Sequence, residues 1–329
     1  MSNSERQRIL AGFEDEAPEK SSGGLDKGET VATPLRSGTS CDQAVYVMDA
    51  HYLIFQVFHA LPDIRSPTGH PVAAVHGFVQ DVVGLVEKKR ADYVFCAFDS
   101  PLGDTFRRRR YPAYKANREE MPEQLRLQMP FVRRMLEAMG VSILECPGYE
   151  ADDILATVAR EAERRGMLCF LVTGDKDCRQ LISERVKIFN IRKNELFDAD
   201  SLAREWGIRA DQVVDFQALV GDAVDNVPGV PLIGPKTAGQ LLSRYETLEN
   251  VLAHADEVPG AKRRANLKQA RESVLFTRQL VRLVDDVPLE IDWESSRLGG
   301  MDQEQIKALC GELGLHRLAE RLKGPAKSQ

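Results

Sequence analysis

The chain has 329 residues, which is long enough for one large domain or two smaller ones with their own cores. Its hydrophobic fraction of 43% is ordinary for a globular protein, and no apolar run approaches the roughly 20 residues that a membrane helix needs. The formal net charge of −6 argues by itself against a nucleic-acid partner, but the charges are sharply segregated along the chain.

The cysteines and the N-terminus indicate a reducing compartment. The six cysteines form no CxxC pair, which is atypical of a zinc site. The N-terminal sequence MSNSERQRIL lacks the apolar core of a secretory signal. We therefore expect a cytoplasmic protein without a membrane partner.

Residues 1–43 are rich in Ser, Gly, Glu, Asp, Lys and Pro and show no periodic apolar pattern. Such a segment cannot bury enough surface to offset the entropy of ordering it, which predicts a disordered tail.

The next segment, residues 44–207, predicts an α/β core. Four apolar runs of strand length alternate with helical patterns such as GFVQDVVGLVEKK and ADDILATVAREAERR. The runs are AVYVM (44–48), YVFCAF (93–98), LCFLVT (168–173) and VKIFNI (186–191). Continuous apolar strands between helices predict a mostly parallel sheet that is covered by helices on both faces.

Two regions interrupt this alternation. Residues 100–124 are polar and basic with scattered aromatics, and the segment is too long for an ordinary crossover, so it is either disordered or functional. Residues 208–293 begin with two helical stretches around DAVDNVPGVPLIG, a pattern typical of a helix-hairpin-helix. The remainder, residues 294–329, contains the helical pattern DQEQIKALCGELG and predicts a helical extension.

Aspartates follow three of the four predicted strands. Asp49 ends the first, Asp99 follows the second, and Asp175 and Asp177 follow the third. In open parallel sheets the carboxyl ends of the strands form the ligand site, so these side chains are expected to converge. The alternative for any single aspartate is an ordinary helix cap.

Two further acidic clusters are ambiguous when taken alone. Glu150, Asp152 and Asp153 begin a predicted helix, where the helix dipole stabilises acids. Asp222 and Asp225 precede the hairpin, where Asp is a common turn residue. If all these carboxylates share one pocket, their repulsion requires cations, and an all-oxygen site favours Mg²⁺ or Mn²⁺ over zinc.

The combined motifs resemble the 5′-nuclease family. In order they are VMDAHYLIFQVFHA, FDSPLGDTFR, YKANR, PGYEADD, TGDKD and GDAVDNVPGVPLIGPKTA, between about Ala44 and Trp293. That family includes the 5′-exonuclease domain of bacterial DNA polymerase I, phage 5′-exonucleases and eukaryotic flap endonucleases. The resemblance implies a PIN-like core, a helical arch over residues 100–124 and a helix-hairpin-helix-type region that binds duplex DNA.

The resemblance also implies a set of metal ligands with none missing. They are Asp49, Asp99, Glu150, Asp152, Asp153, Asp175, Asp177, Asp222 and Asp225. Two or more Mg²⁺ or Mn²⁺ ions are implied, and with them an active two-metal nuclease.

In the arch, the resemblance assigns catalytic roles to Lys115, Arg118 and Arg107, which would contact the scissile phosphodiester. Phe106 and Tyr114 would stack on unpaired bases. The alternative is a solvated basic loop in which Tyr114 packs on its own stem.

In the hairpin, the resemblance implies that backbone amides and a bound K⁺ ion grip a phosphodiester away from the cut. The residues assigned to DNA binding there are Gly229, Ile233, Gly234, Lys236 and Thr237. One departure is Leu232, which stands where the family commonly has glycine. A leucine there either holds strain at positive φ or has shifted the hairpin to negative φ.

The implied function is hydrolysis of DNA, and of RNA primers on DNA, at 5′ ends and 5′ flaps in replication and repair. The implied partners are a DNA polymerase and a ligase, for a monomeric, nucleoid-associated enzyme.

A haloacid-dehalogenase-type phosphohydrolase needs a second acid two residues after Asp49, where His51 stands. A PIN-type ribonuclease would lack the arch and hairpin, and a non-catalytic DNA-binding protein would not need the full ligand set. The sequence leaves open whether the chain is free-standing or part of a polymerase, and whether it prefers ends or flaps.

Overall fold

A computed structural model describes residues 43–89, 91–100 and 103–322. The tail predicted for residues 1–43 lies outside the described residues, apart from Gln43, as does the end of the C-terminal extension, 323–329.

The central layer is a sheet of six strands. The strands are β1 (Ala44–Asp49), β2 (Tyr93–Ala97), β3 (Ser142–Leu144), β4 (Leu168–Val172), β5 (Val186–Asn190) and β6 (Glu195–Phe197). Their order is β3-β2-β1-β4-β5-β6, with β1 to β5 parallel and β6 antiparallel to β5. The mostly parallel sheet is the one predicted. Strands β3 and β6 were not predicted from the sequence, because three residues are too few for a periodic signal.

The sheet is flanked by helices on both faces. The helices of this part of the chain are α1 (Ala50–Ala60), α2 (Ala73–Lys89), α3 (Phe106–Arg110), α4 (Glu123–Arg126), α5 (Met129–Ala138), α6 (Ala151–Arg164) and α7 (Ala199–Trp206). In β1, Tyr46 and Met48 face one hydrophobic cluster while Val45 and Val47 face the other. Both faces of the strand are therefore buried, which explains its unbroken apolar sequence.

A helical region with its own hydrophobic cluster follows the sheet. Its helices are α8 (Val213–Val220), α9 (Pro235–Tyr245), α10 (Leu248–Ala253), α11 (Ala261–Gln269) and α12 (Arg271–Val281). Helices α8 and α9 flank the Gly- and Pro-containing turn between residues 221 and 234, as the helix-hairpin-helix pattern predicts.

The chain then returns to the sheet. Trp293 packs edge-on against Phe95 of β2, with ring centroids 5.2 Å apart. The last helices, α13 (Gln303–Leu313) and α14 (His316–Leu322), contribute Leu309 and Leu318 to the cluster that also holds α1 and α2. The described part of the C-terminal extension is thus part of the core of the sheet region.

None of the helices in the described ranges has the length and apolarity that crossing a membrane requires.

Candidate active site

The carboxyl ends of β1, β2 and β4 meet at one edge of the sheet. Because the strand order runs in opposite directions on either side of β1, the edge beside β1 and β4 is the switch point at which parallel α/β proteins bind ligands. Asp49 closes β1 and is only 6% exposed. Its carboxylate accepts hydrogen bonds from the Tyr52 amide and the Thr173 hydroxyl, each at 3.1 Å. Asp49 therefore caps α1 and also faces the crevice.

The second group of acids lies at the start of α6. The Asp99 carboxylate accepts a hydrogen bond of 2.9 Å from the Ala151 amide, which attaches the end of β2 to the first turn of α6. Asp152 points toward the 3₁₀ turn after β4, where the Cys178 thiol lies 3.5 Å from its carboxylate. The first turn of α6 is therefore held at the same edge as the strand ends.

The third group follows β4. The Asp177 amide donates to the Asp175 carboxylate at 2.8 Å, and the Gln217 side-chain amide of α8 donates to the carboxylate of Asp177. The side-chain oxygen Oε1 of Gln217 is buried and has no hydrogen-bond partner among the described residues. Helix α8 thus touches the acidic edge directly.

The fourth group is the turn after α8. The Asp222 carboxylate accepts from the Val224 amide at 2.7 Å and the Asp225 amide at 3.3 Å, so Asp222 is a turn residue by geometry. Asp225 is buried and pairs with both Lys115 and Arg118. The turn interpretation describes Asp222 well but does not account for Asp225.

The acidic groups lie within one another's electrostatic field. Burial, with Asp99 and Asp175 nearby, raises the pKa of Asp49 from 3.8 to about 7. Burial and Asp175 likewise raise the pKa of Asp152 and of Asp177 well above its ordinary value. The sheet edge, the start of α6 and the turn after α8 therefore form one cluster of carboxylates. The strand-end argument predicts its first part, and the other two groups were ambiguous from the residues alone.

No three His, Cys, Asp or Glu side chains within the described ranges are already arranged to hold a metal ion. The acids instead satisfy their oxygens with protein donors. Glu150 shows this most fully, because it accepts from Lys115 at 2.6 Å and from both Arg107 and Tyr114 at 3.0 Å. The basic donors compensate part of the negative charge of the cluster in this conformation, and the remaining acids still repel one another.

The basic segment lies against the acids. Its described part, residues 103–124, forms the five-residue helix α3, followed by turns until α4 begins at Glu123. Within this range no helix is longer than α3. Lys115 has a φ of +53°, and its amide donates to the Asp225 carbonyl at 2.9 Å. Burial alone would lower the pKa of Lys115, but Glu150, Tyr114 and Asp225 raise it well above its ordinary value. Lys115 is therefore a charged side chain inside the cluster.

Arg107 differs from the expectation of a side chain that contacts a phosphodiester. It is 1% exposed, and its guanidinium forms a bidentate pair with Asp153 at 2.6 and 2.7 Å. It also donates to the Leu280 and Arg282 carbonyls, both at 2.9 Å. The observed contacts are those of a buried ion pair, and contact with substrate stays a prediction.

Asp153 is the counterpart of Arg107. It is 0% exposed, and besides Arg107 its carboxylate accepts from the Glu150 and Val284 amides at 3.2 and 2.9 Å. Its oxygens are enclosed by these donors, which differs from the open carboxylate expected of a metal ligand.

The two aromatic residues predicted to stack on bases have other contacts. Tyr114 is buried and packs with Val214, Val227 and Leu280, so it does not offer a face to a base in this conformation. Phe106 is half-buried and carries the Arg107 guanidinium 4.5 Å from its ring centroid. Tyr114 is thus packed rather than offered to a base, but its partners belong to α8, the hairpin turn and α12 and not to its own stem, as the alternative had it.

Two glycines allow close backbone contact in the hairpin. A Cβ on Gly229 would lie 2.1 Å from the Val220 carbonyl oxygen, and one on Gly221 would lie 2.3 Å from the Gly229 nitrogen. No side chain fits between these backbones. Further along the turn, Leu232 has a φ of +68° and is 59% exposed. The hairpin thus keeps positive φ at Leu232, the first of the two alternatives.

The other hairpin residues differ in what they present to solvent. Ile233 is buried, and its amide donates to the Val230 carbonyl at 3.0 Å, so that amide is committed within the turn. Gly234 precedes α9, and no atom beyond its chain neighbours lies within 4 Å of the position that a Cβ would take there. Lys236 is exposed and Thr237 half-buried in the first turn of α9. Helix α9 therefore offers its N-terminus and one lysine to a partner.

Three residues at the site were not singled out by the sequence analysis. Thr173 and Cys178 lie beside the predicted acids in the sequence, and their position near the TGDKD motif was the available signal. Gln217 had no such signal, because it lies 40 residues from its partner Asp177 within an ordinary helical pattern.

The comparisons with known proteins identify the class to which this arrangement belongs. Residues 44–207 match the family described as 5′-3′ exonuclease, N-terminal resolvase-like domain, and residues 208–304 match 5′-3′ exonuclease, C-terminal SAM fold. The chain belongs to this 5′-3′ exonuclease family.

Two relatives show how the chain compares in length. The 5′-3′ exonuclease of Aquifex aeolicus (strain VF5) is 32% identical over 284 residues, which are 85% of this chain and 95% of that protein. DNA polymerase I of Bacillus subtilis (strain 168) is 33% identical over 280 residues, which are 84% of this chain and 32% of that protein. The chain thus spans about a third of the polymerase.

Solved structures share the fold at low identity. The T5 5′-exonuclease with bound zinc ions has a TM-score of 0.62 and 19% identity over 85% of this chain and 99% of the other. The catalytic core of Rad2 in complex with DNA substrate has a TM-score of 0.58 and 16% identity over 86% of this chain and 92% of the other. Both confirm the fold class.

The buried pair of Arg107 and Asp153 leads to a stability prediction. Arg107→Gln should lower the free energy of unfolding by about 3–5 kcal/mol, because it leaves the Asp153 charge buried without its partner. Arg109→Gln is the matched control, since Arg109 pairs with Asp104 in solvent and should contribute less than about 1 kcal/mol. Urea unfolding measures both. Wild-type stability of Arg107→Gln together with lost cleavage would instead place Arg107 at the substrate.

The raised pKa of Asp49 predicts a pH dependence. A carboxyl group with a raised folded-state pKa stabilises the protein fully below the unfolded value, and this contribution is lost as pH rises through the folded value. In a chelator, stability should therefore fall between about pH 4 and pH 7. The loss due to Asp49 should be at most about 4 kcal/mol, at roughly 1.4 kcal/mol per pKa unit.

Urea unfolding across this pH range tests the effect. Asp49→Asn should reduce the slope of the profile, with a remainder due to Asp152 and Asp177, while Asp200→Asn at an exposed position of α7 should leave it unchanged. Rising stability over the range would show that Asp49 is ionised and favourably paired.

The positive φ of Leu232 predicts that Leu232→Gly raises stability by about 1 kcal/mol, because left-handed strain of about 1–2 kcal/mol disappears. Part of that gain is offset by the greater freedom of glycine in the unfolded chain. The control is Leu196→Gly at an exposed position in β6, which should lower stability by about 0.5–1 kcal/mol. Melting curves compare the two, and a lower melting temperature for Leu232→Gly would identify Leu232 as an ordinary packing residue.

Proposed function

We propose that this chain is a divalent-metal-dependent 5′-3′ exonuclease and 5′-flap endonuclease that hydrolyses DNA phosphodiesters. The observation that carries the proposal is the cluster of mutually repelling carboxylates at the switch point, faced directly by Lys115 and Arg118. Acids of this kind bind cations, and the adjacent basic side chains bind an anion.

The donor chemistry fits hard divalent ions. Burial and the acids nearby raise the pKa of Cys178 well above its ordinary value, so the thiol beside Asp152 stays protonated and is a poor ligand. The side-chain oxygen Oε1 of Gln217, which has no partner among the described residues, is an acceptor to which a metal-bound water can donate. We therefore favour Mg²⁺ or Mn²⁺, while the zinc ions of the T5 neighbour make Zn²⁺ a useful comparison in any assay.

In this proposal the ligands are the predicted acids with the exception of Asp153. They are Asp49, Asp99, Glu150, Asp152, Asp175, Asp177, Asp222 and Asp225. Asp153 is not among them, because its oxygens already hold Arg107 and two backbone amides. Together, Arg107 and Asp153 position Glu150, which Arg107 also contacts.

Bound ions of this type lower the pKa of a water molecule and stabilise the leaving oxygen. The chain supplies the orientation. The Thr173 hydroxyl and the Tyr52 amide fix the carboxylate of Asp49, and Gln217 fixes that of Asp177. Fixed carboxylates reduce the reorganisation that the reaction would otherwise require.

Lys115 and Arg118 are the proposed catalytic side chains. Both now pair with Glu150 or Asp225. Because cations at these acids would compensate their charge, the two basic groups would then be available to the developing charge on the scissile phosphate. The Arg118 side chain is half exposed, so it is the more accessible of the two to a substrate.

The hairpin is the proposed duplex-binding element, with a K⁺ ion at its backbone and a phosphate at the N-terminus of α9. Helix N-termini attract phosphates, and Lys236 lies exposed in the first turn. The DNA complexes of the T5 flap endonuclease and of Rad2 support a DNA ligand for this fold.

We extend the proposal to RNA primers as substrates and to work beside a DNA polymerase and a ligase, as a cytoplasmic, nucleoid-associated monomer. The polymerase relatives support the first partnership. Cysteines within the described residues are free and buried, which suits a reducing compartment.

A cleavage assay with Asp175→Asn tests the proposed function. With Mg²⁺, the wild-type protein should cut a 5′-flap duplex and lose that activity in EDTA. Asp175→Asn should lower kcat at least about 100-fold, the scale of removing one group that stabilises the transition state. Asp200→Asn is the control and should cut normally.

Side-by-side 5′-flap and blunt duplexes in Mg²⁺, Mn²⁺ and Zn²⁺ rank the substrates and the ions. Activity in EDTA would overturn the metal-dependent mechanism. Tight binding of the flap without cleavage in any of these ions would indicate a non-catalytic DNA-binding protein.

A further inference from the structure

Helix α11 carries a basic surface that the site described above does not use. Its sequence, AKRRANLKQ, has four basic residues and no acidic one. Only Leu267 of the helix is buried. Helix α11 therefore concentrates positive charge on a chain whose net charge is −6.

This helix is attached to the hairpin. The Asn266 side-chain amide donates to the Pro231 carbonyl at 2.8 Å, directly before the strained Leu232. Residues three and four positions before Asn266 lie on the same face of the helix, one turn away. Those residues are Arg263 and Lys262, so both follow the stripe that meets the hairpin turn.

The two charges on this stripe are free for a ligand. Lys268 is paired with Asp256 at 2.5 Å, and Arg264 is half-buried and donates to the Val258 carbonyl at 3.3 Å. Lys262 is exposed and Arg263 half-buried, and neither forms an ion pair with any residue that the structure describes. The available charge thus lies on the side of α11 next to the hairpin.

We propose that Lys262 and Arg263 bind phosphates of the same duplex that the hairpin grips, and so extend its grip along the backbone. This inference rests on the proposed role of the hairpin. One helical turn rises about 5.4 Å, and phosphates of one strand are spaced about 3.4 Å along the duplex axis. The stripe therefore lies about one helical turn from the residue that contacts the hairpin, a distance over which the same duplex presents further phosphates. A duplex is favoured over a flexible single strand because the two contacts are held at a fixed spacing on rigid backbone.

The test is the salt dependence of binding to a 5′-flap duplex, measured by fluorescence anisotropy in Ca²⁺ with the full chain. Lys262→Ala/Arg263→Ala should weaken binding severalfold and reduce the log–log salt slope by about 0.9 for each lost phosphate contact, or about 1.8 together. Lys307→Ala/Arg317→Ala removes the same charge from exposed positions of α13 and α14 and should change neither quantity. Arg263→Lys should retain the slope.

Duplex length separates this surface from the rest of the binding site. The deficit of Lys262→Ala/Arg263→Ala should disappear on a substrate whose duplex arm is too short to extend past the hairpin. An unchanged slope with wild-type melting would overturn the inference, and so would an equal effect of the control pair. If Lys236→Glu also left duplex affinity unchanged, the proposed role of the hairpin would fail with it. Weaker binding for Lys236→Glu alone would leave that role intact.

Discussion

Electrostatic repulsion among the acids at the switch point is the constraint on which this structure depends. The sheet brings Asp49, Asp99 and Asp175 to one edge because parallel strands end there. Burial and mutual repulsion then disfavour ionisation, as the raised pKa values of Asp49 and Asp177 indicate. Such a cluster is compatible with a folded protein only where donors or cations compensate it.

Two kinds of basic side chain compensate the charge of these acids, and they differ in how firmly they are held. Arg107 is enclosed with Asp153 and bonded to two backbone carbonyls, so its removal from the acids would cost a buried charge pair. Lys115 and Arg118 form fewer contacts and lie closer to solvent. The first arrangement fixes the start of α6, while the second can be exchanged. A site that binds cations and then substrate needs both arrangements, because only basic side chains that can leave their acidic partners can contact the substrate.

Sequence reasoning recovered those parts of the site that depend on local pattern. Apolar runs mark the strand ends, and the strand ends are sufficient to predict that Asp49, Asp99 and Asp175 lie together. It did not recover the pairing of Arg107 with Asp153, because residues 46 apart in the chain meet only through the packing of α3 against α6. The partners that bury Tyr114 were not predicted for the same reason, since Val214 and Leu280 that cover it come from distant helices. Side-chain partners set by tertiary packing leave no periodic signal.

The hairpin shows how packing can impose a backbone conformation that its sequence disfavours. Leu232 holds a positive φ without the glycine that would make it free of strain. Its neighbours explain why: Val230 and Ile233 are both buried in the helical cluster, and Gly229 is pressed against the backbone at Val220. With the turn anchored on both sides, Leu232 has no alternative path, and its side chain is left in solvent. The hydrogen bond from Asn266 to Pro231 attaches α11 to that same turn. The backbone of the surface proposed to meet the duplex is therefore attached to the hairpin by this bond and to the helical cluster by the buried Leu267, and such a fixed spacing favours a ligand of regular shape such as a double helix.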